Sequence, residues 1–374
     1  MSLPSRRRVL RRVGAVAVVP GVTIGIGSRS GRGVDSDEAE WHRTYGGDGF
    51  QCHALSETDD GVLVIGRTGS GRPETPWIAE IDGDGEPRWT TTIGTPGFTS
   101  AVDAVEVDGG YTVLGTTDES PSLWLVRLDD AGREQWRRRE EGPHGIRGLH
   151  PADDGYLVTG YRGNPQRVDA EPDAWVRATD ADGRTRWEHI YDGSYVSDVL
   201  SREDGFLLAG GADGGAWLRA IEIDGTPTWR HTYGGVGSEG VNAAVPTASG
   251  VLYGGSTRSV PDVHRRGMLV RTTADGEFVW RRTYDVQYVV DLIPFGGGFA
   301  LTGEPQNRDR SGRDSEKPVH VVNRWGRVRD TVTVSVDPGA PVGLSRLDDE
   351  ALVVGGWSGE DGIWLAKFEP EAVA

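Results

Sequence analysis

The chain has 374 residues, with 57 acidic against 40 basic side chains and a net charge of −17. A single cysteine, Cys52, excludes an intramolecular disulfide. The acidic balance argues against nucleic acid as a partner, because phosphate binding needs a basic face, and no basic cluster stands out after Arg32.

Residues 1–34 contain seven arginines and no acid. Ser5, Arg6, Arg7, Val9 and Leu10 in "SRRRVLRR" fit a twin-arginine export signal, with Arg6 and Arg7 as its paired arginines. The apolar run that follows, Val13 to Gly27, is about fifteen residues long and is broken by Pro20. A membrane-spanning helix needs about twenty apolar residues, so the run reads as the apolar core of a signal segment. An uncleaved membrane anchor is the alternative, because no clear A-x-A cleavage site follows. The expected localisation is extracellular or at the cell surface.

From residue 41 onward the chain is repetitive. "DGVLVIG" at 60–66 returns as "GGYTVLG" (109–115), "DGYLVTG" (154–160), "DGFLLAG" (204–210), "SGVLYGG" (249–255), "GGFALTG" (297–303) and "DEALVVG" (349–355). Each is a turn, a short apolar β-rich run and a closing glycine, the signature of a buried strand. A weaker strand precedes each motif, among them "AVDAVEV", "YVSDVL" and "YVVDLI". After each motif comes a unit W-x4-[D/E]-x2-G-x3-W, with Trp77 and Trp89, Trp124 and Trp136, Trp175 and Trp187, and Trp217 and Trp229. Met268 and Pro318 replace the first tryptophan in the next two units, and Trp280 and Asp330 stand at the second position. The acid and the glycine belong to a tight turn between two strands, and the tryptophans are expected to pack between adjacent sheets. "DGDG" at 82–85 is too short a run of oxygen ligands for a calcium loop.

The seventh unit has Trp364 in its third strand and then ends, while "WHRTYGG" at 41–47 matches "WRHTYGG" at 229–235. The N-terminal strand, with Trp41, therefore supplies the missing fourth strand. The fold class is all-β: a seven-bladed β-propeller of four-stranded antiparallel blades, closed by an N-terminal strand that completes the last blade. Residues 1–34 form the export segment and 35–374 a single propeller. Its blades span 50–93, 98–140, 144–191, 194–233, 239–284, 287–334, and 341–369 plus 41–47.

The pattern "TYGG", "DGGY.L.G", "WLV.LD..G...W" resembles the repeat propellers of secreted and cell-surface proteins of archaea and bacteria, grouped near the quinoprotein-like and WD40-like propellers. The resemblance covers residues 40–369. Only Lys317 and Lys367 are lysine, and such an Asp-rich, Lys-poor composition resembles that of haloarchaeal proteins. What the resemblance implies is structure and export, since its motifs are silent on chemistry. Quinoprotein dehydrogenases usually have eight blades and a different tryptophan-docking motif, neither of which stands here.

No catalytic constellation is legible. The eight histidines form neither H-x-x-x-H nor H-E-x-x-H, so no metal site is expected. There is no nucleophile elbow, P-loop or dinucleotide fingerprint, and no cofactor is expected. Propellers usually bind at the mouth of the central channel, which draws attention to residues entering the inner strands: Asp48, His144, Tyr195, Glu239 and Tyr288. Long connections at 161–174, 256–266 and 304–317 border the same mouth. The expected function is that of an exported, non-catalytic binding or surface-interaction propeller, with a cell-envelope protein or polysaccharide as partner. The alternative is an extracellular enzyme, a hydrolase or quinoprotein-like oxidoreductase, with its site at the mouth.

Overall fold

The computed structural model describes residues 39–69, 74–94, 97–118, 122–163, 172–212, 215–234, 239–257, 265–306, 315–336, 339–347, 351–358 and 362–370. Residues 1–34, expected from sequence to be an export segment, lie outside these residues, as does most of each long connection. Every regular element among them is a β-strand, and the strands form seven four-stranded antiparallel sheets.

Blade 7 is formed by both ends of the chain. β1 (Trp41–Tyr45) pairs with β28 (Gly362–Phe368), Trp41 opposite Lys367 and Tyr45 opposite Ile363. β26 (Gly339–Arg346) and β27 (Leu352–Ser358) complete the sheet. Blade 1 is β2 (Gln51–Thr58), β3 (Gly61–Thr68), β4 (Thr75–Asp82) and β5 (Pro87–Thr92). Blade 2 is β6 (Phe98–Val107), β7 (Gly110–Thr117), β8 (Ser122–Leu128) and β9 (Glu134–Glu141). Blade 3 is β10 (Gly145–Ala152), β11 (Gly155–Arg162), β12 (Asp173–Asp180) and β13 (Thr185–Tyr191). Blade 4 is β14 (Tyr195–Arg202), β15 (Gly205–Ala212), β16 (Gly215–Glu222) and β17 (Pro227–Tyr233). Blade 5 is β18 (Glu239–Thr247), β19 (Gly250–Thr257), β20 (Arg266–Thr273) and β21 (Phe278–Tyr284). Blade 6 is β22 (Val286–Phe295), β23 (Gly298–Pro305), β24 (Ser315–Val322) and β25 (Val328–Val336). The first strands of neighbouring blades lie side by side all the way round, β26 against β2 closing the circle. They line the axis, and the fourth strands form the rim.

A four-stranded sheet has two faces to bury, and each blade buries both against its neighbours. The described core falls into seven apolar clusters, one between each pair of adjacent blades. The two tryptophans of a repeat serve different seams. The first faces the preceding blade: Trp124 packs with Leu63 and Ile78 of blade 1, Trp217 with Leu157 and Val176 of blade 3, and Trp364 with Val319 and Val321 of blade 6. The second reaches forward, as Trp89 does toward Tyr111 of blade 2. Successive residues of a strand point to opposite faces, and the crossing register sets Trp89 opposite Glu80, three residues past Trp77. An odd offset puts the pair on opposite faces.

Two kinds of glycine are required by close approach. The glycine that closes each motif stands opposite a bulge in the first strand; a Cβ on Gly66 would lie 1.9 Å from the Gln51 carbonyl oxygen, and on Gly160 2.1 Å from that of Gly145. The turn glycine of the Trp unit has positive φ and lies under the outer tryptophan of the preceding blade. At Gly132 φ is 71° and a Cβ would sit 2.3 Å from Trp89; Gly225 meets His189 and Trp187, and Gly276 meets His231 and Trp229. The outer strand adds hydrogen bonds to the same turn. The Tyr191 hydroxyl donates to the Gly225 carbonyl (2.7 Å), that of Tyr284 to Gly326 (2.7 Å), and the Trp187 indole to Ile223 (3.0 Å).

The clasp strand makes this contact too: Trp41 donates to the Gly83 carbonyl (2.9 Å) and Tyr45 to that of Gly85 (2.8 Å). The seam between blades 6 and 7 departs from the pattern. Asp330, Val332 and Val334 occupy the positions that hold Trp280, Arg282 and Tyr284 in blade 5.

Gly132→Ala is expected to cost about 2–4 kcal/mol, from left-handed backbone and from overlap with Trp89. Gly109→Ala, at φ 73° with nothing within 4 Å of the new methyl, should cost only about 1–2 kcal/mol. Chemical denaturation of the two variants separates the terms; equal losses would mean that the tryptophan contact carries no weight.

Candidate functional site at the channel mouth

The ring has two unlike ends. One carries the hairpin turns between first and second strands and between third and fourth strands. The other, the mouth end, carries the connections from each fourth strand into the next first strand and those between second and third strands.

All seven first strands carry a β-bulge near the mouth, at His53, Val102, Arg147, Ser197, Asn242, Val290 and Val342. A bulge leaves one residue unpaired and re-aims its side chain, and several of these bond the next blade. The His53 ring is 2.7 Å from the Ala101 carbonyl through Nδ1, the Ser197 hydroxyl donates to Val241 (2.7 Å), and the Asn242 amide donates to Val289 (2.6 Å).

The residue after the bulge is an aspartate in every second blade: Asp103, Asp198 and Asp291. Each carboxylate accepts two backbone N–H bonds. Within its own strand, Asp103 takes that of Ala104 (2.8 Å), Asp198 that of Val199 (2.8 Å) and Asp291 that of Leu292 (2.7 Å). From the next blade come the N–H groups of Leu149, Ala244 and Leu344, each at 2.8 Å. The blades that receive them carry Gly148, Ala243 and Gly343 at the matching position; a Cβ on Gly343 would sit 3.2 Å from the Asp291 carboxylate. Burial raises all three carboxyls, Asp103 to about 6 and Asp198 to about 7, and repulsion from Asp291 adds to both. His150 Nδ1 lies 3.6 Å from Asp198, and burial lowers His150 to about 4. Sequence reasoning passed over this trio. Its only signal was an acid inside an apolar strand, six residues before the motif, in alternate copies.

The mouth residues singled out from sequence lie at the mouth end, but they do not converge. Asp48 and His144 are exposed, and His144 Nδ1 accepts the Gly163 N–H (3.0 Å). Tyr195 is half-buried and faces the Arg147 guanidinium, 4.5 Å from its ring centre, across the seam between blades 3 and 4. Tyr288 is half-buried at the start of blade 6, and Glu239 opens β18. On blade 1, Arg67 donates two hydrogen bonds to the Gln51 side-chain oxygen (3.1 and 2.7 Å) and pairs with Glu74. The Arg147–Tyr195 pair is the best-defined feature: a planar cation on an aromatic face, fixed on two adjacent inner strands.

Two open clefts of about 680 and 650 Å³ lie at the opposite, turn end. The larger, between blades 2 and 3, is lined by Asp108, Asp154, Asp180 and Asp182 with Arg127 and Arg186. Among the described residues no group of three His, Cys, Asp or Glu side chains is placed to hold a metal ion.

No protein-family model matches the chain, and no curated protein matches it. Solved structures do. The Neurospora crassa Pan2 WD40 domain is similar at TM-score 0.54 and 11% identity, over 87% of this chain and 90% of that one. Sqt1 from Chaetomium thermophilum gives 0.52 and 13%, over 88% and 86%. The acylaminoacyl peptidase of Pyrococcus horikoshii gives 0.52 and 11%, over 84% of this chain and 50% of that one. At these identities the likeness is one of fold, a β-propeller with WD40-like neighbours.

Proposed function

We propose that the chain is an exported, non-catalytic binding propeller of the cell surface, which takes a cell-envelope protein or polysaccharide at its mouth end. The observation that carries the reading is the Arg147–Tyr195 pair on rigid inner strands. Arginine and tyrosine are among the residues enriched where binding energy concentrates, and holding them in place before contact lowers the cost of binding. Gln51 and Arg67 add a second fixed polar group on blade 1, and a polar mouth of this kind suits the hydroxyls of a saccharide or a protein surface. Export rests on Arg6 and Arg7, and the lysine-poor acidic surface fits a protein that works in concentrated salt.

The test is retention of the purified protein on washed, lipid-extracted envelope from its source organism. Arg147→Ala with Tyr195→Ala is expected to weaken retention ten-fold or more, while Asp130→Ala at the turn end leaves it unchanged. Undiminished retention of the double variant would remove the mouth from the account.

A further inference from the structure

Six large apolar side chains are exposed among the described residues, and four of them cluster on the rim of blades 5 and 6: Phe278 (60% exposed), Val279, Trp325 (49%) and Val328. Phe278 and Val279 begin β21, Val328 begins β25, and Trp325 sits in the hairpin turn before it. The ring brings the two segments together, since the Arg282 side chain donates to the Trp325 carbonyl (2.6 Å) and Gly326 packs under Trp280.

The same rim is basic. Arg324 covers the Trp325 ring at 4.0 Å, and Arg282, Arg327 and Arg329 are exposed beside it. The third-to-fourth turns of blades 1 to 5 read "DGDG", "DDAG", "DADG", "EIDG" and "TADG", each with at least one carboxylate; blade 6 reads "NRWG". Asp275, Glu277 and Asp330 are the acids bordering the patch. No basic cluster stands out after Arg32 in the linear sequence because "WRRTY" and "NRWGRVR" join only when blades 5 and 6 stack.

The position of the patch points to its occupant. Trp41 bonds the turn of blade 1, so the chain enters the propeller at the turn end of blade 7, one blade from Val328 and Arg329. The apolar run of residues 13–27 precedes it by thirteen residues, which reach at most about 45 Å. Kept as the uncleaved anchor, the alternative reading of this run, it would hold a bilayer within that reach of the turn end. Exposed Trp and Phe favour the membrane interface, and arginines near an anionic leaflet are attracted to its headgroups.

We propose that the turn-end rim of blades 5 and 6 docks on an anionic phospholipid surface, which leaves the mouth facing away from it. This docking rests on the uncleaved-anchor alternative for residues 13–27 and is independent of the mouth reading.

Cys52 is buried, so Val279→Cys in the full chain gives one accessible thiol for an environment-sensitive fluorophore. With vesicles of phosphatidylglycerol and phosphatidylcholine the label should shift to the blue, and with phosphatidylcholine alone it should not. The same label at Asp130→Cys, on the turn end of blade 2, should not respond. Arg324→Glu, Arg327→Glu and Arg329→Glu together should weaken the response on the order of 100-fold, about five-fold or more per arginine. These side chains are exposed, and an unchanged melting temperature confirms the fold. Co-sedimentation with a silent label at 279, or an equal response at 130, would overturn the proposal. So would a label that responds to oligothymidylate or polyglutamate but not to vesicles, which would reassign the patch to an acidic polymer.

Discussion

Alanine at both Trp41 and Tyr45 is expected to destabilise the protein by about 5 kcal/mol or more and to open the ring at blade 7. Each large-to-small change at a packed aromatic costs about 3–5 kcal/mol, and the two share a cluster, so the sum is not fully additive. Both residues pack with Trp77, Val353 and Leu365, and Tyr45 is fully buried. Both also lose their hydrogen bonds to the turn of blade 1. The chain-end strand is the natural place to look for the weakest joint, yet it carries a full set of these contacts. The seam between blades 6 and 7 is built without an outer tryptophan at position 330, and Val332 and Val334 fill it instead. A double variant within 1 kcal/mol of the parent in chemical denaturation would mean that β1 does not hold the ring shut.

Asp198→Ala should cost about 2–5 kcal/mol at pH 5, because two buried N–H groups, of Ala244 and Val199, lose their acceptor. Asp198→Asn keeps one acceptor and removes the titration. The sign of the pH effect follows from the raised carboxyl. In the folded protein Asp198 titrates near pH 7, against about 3.9 when unfolded. Between those values the folded state binds more protons, so stability falls as pH rises from about 4 to 7 and the cost is complete above pH 7. Asp103, titrating near 6, acts in the same direction, as does Glu106, near 7. His150, lowered to about 4, acts in the opposite direction between about 4 and 6.5. The difference between parent and Asp198→Asn isolates the one group. It should shift against the parent by roughly 2–4 kcal/mol from pH 4 to pH 8. A difference curve flat with pH would show that the carboxyl is not raised.

The number of blades, the four-strand plan and the chain-end clasp were all legible, because each is written as a repeat or as its interruption. The tryptophan spacing was legible as a strand–turn–strand unit. That the turn glycine is there for the tryptophan of the preceding blade was not, since the partner sits about 43 residues earlier, as Trp89 does from Gly132. The aspartate trio was hidden for a related reason. Each acid sits in a strand that reads as apolar, and its second partner, such as Ala244 for Asp198, belongs to the next repeat. Strand order was enough to bring Asp48, His144, Tyr195, Glu239 and Tyr288 to one end of the ring. It could not show that Arg147, aimed by its bulge, is what Tyr195 meets.

The central claim is that the mouth end is the binding face. Hydrogen exchange of the protein, alone and on lipid-extracted envelope, tests it most directly. The account predicts slowed exchange in the segments 144–150 and 193–199, which carry Arg147 and Tyr195, and no change in the blade 2 turn at 129–132. Slowing confined to that turn or to the neighbouring cleft at 151–156, with the mouth segments exchanging as in the free protein, would contradict it.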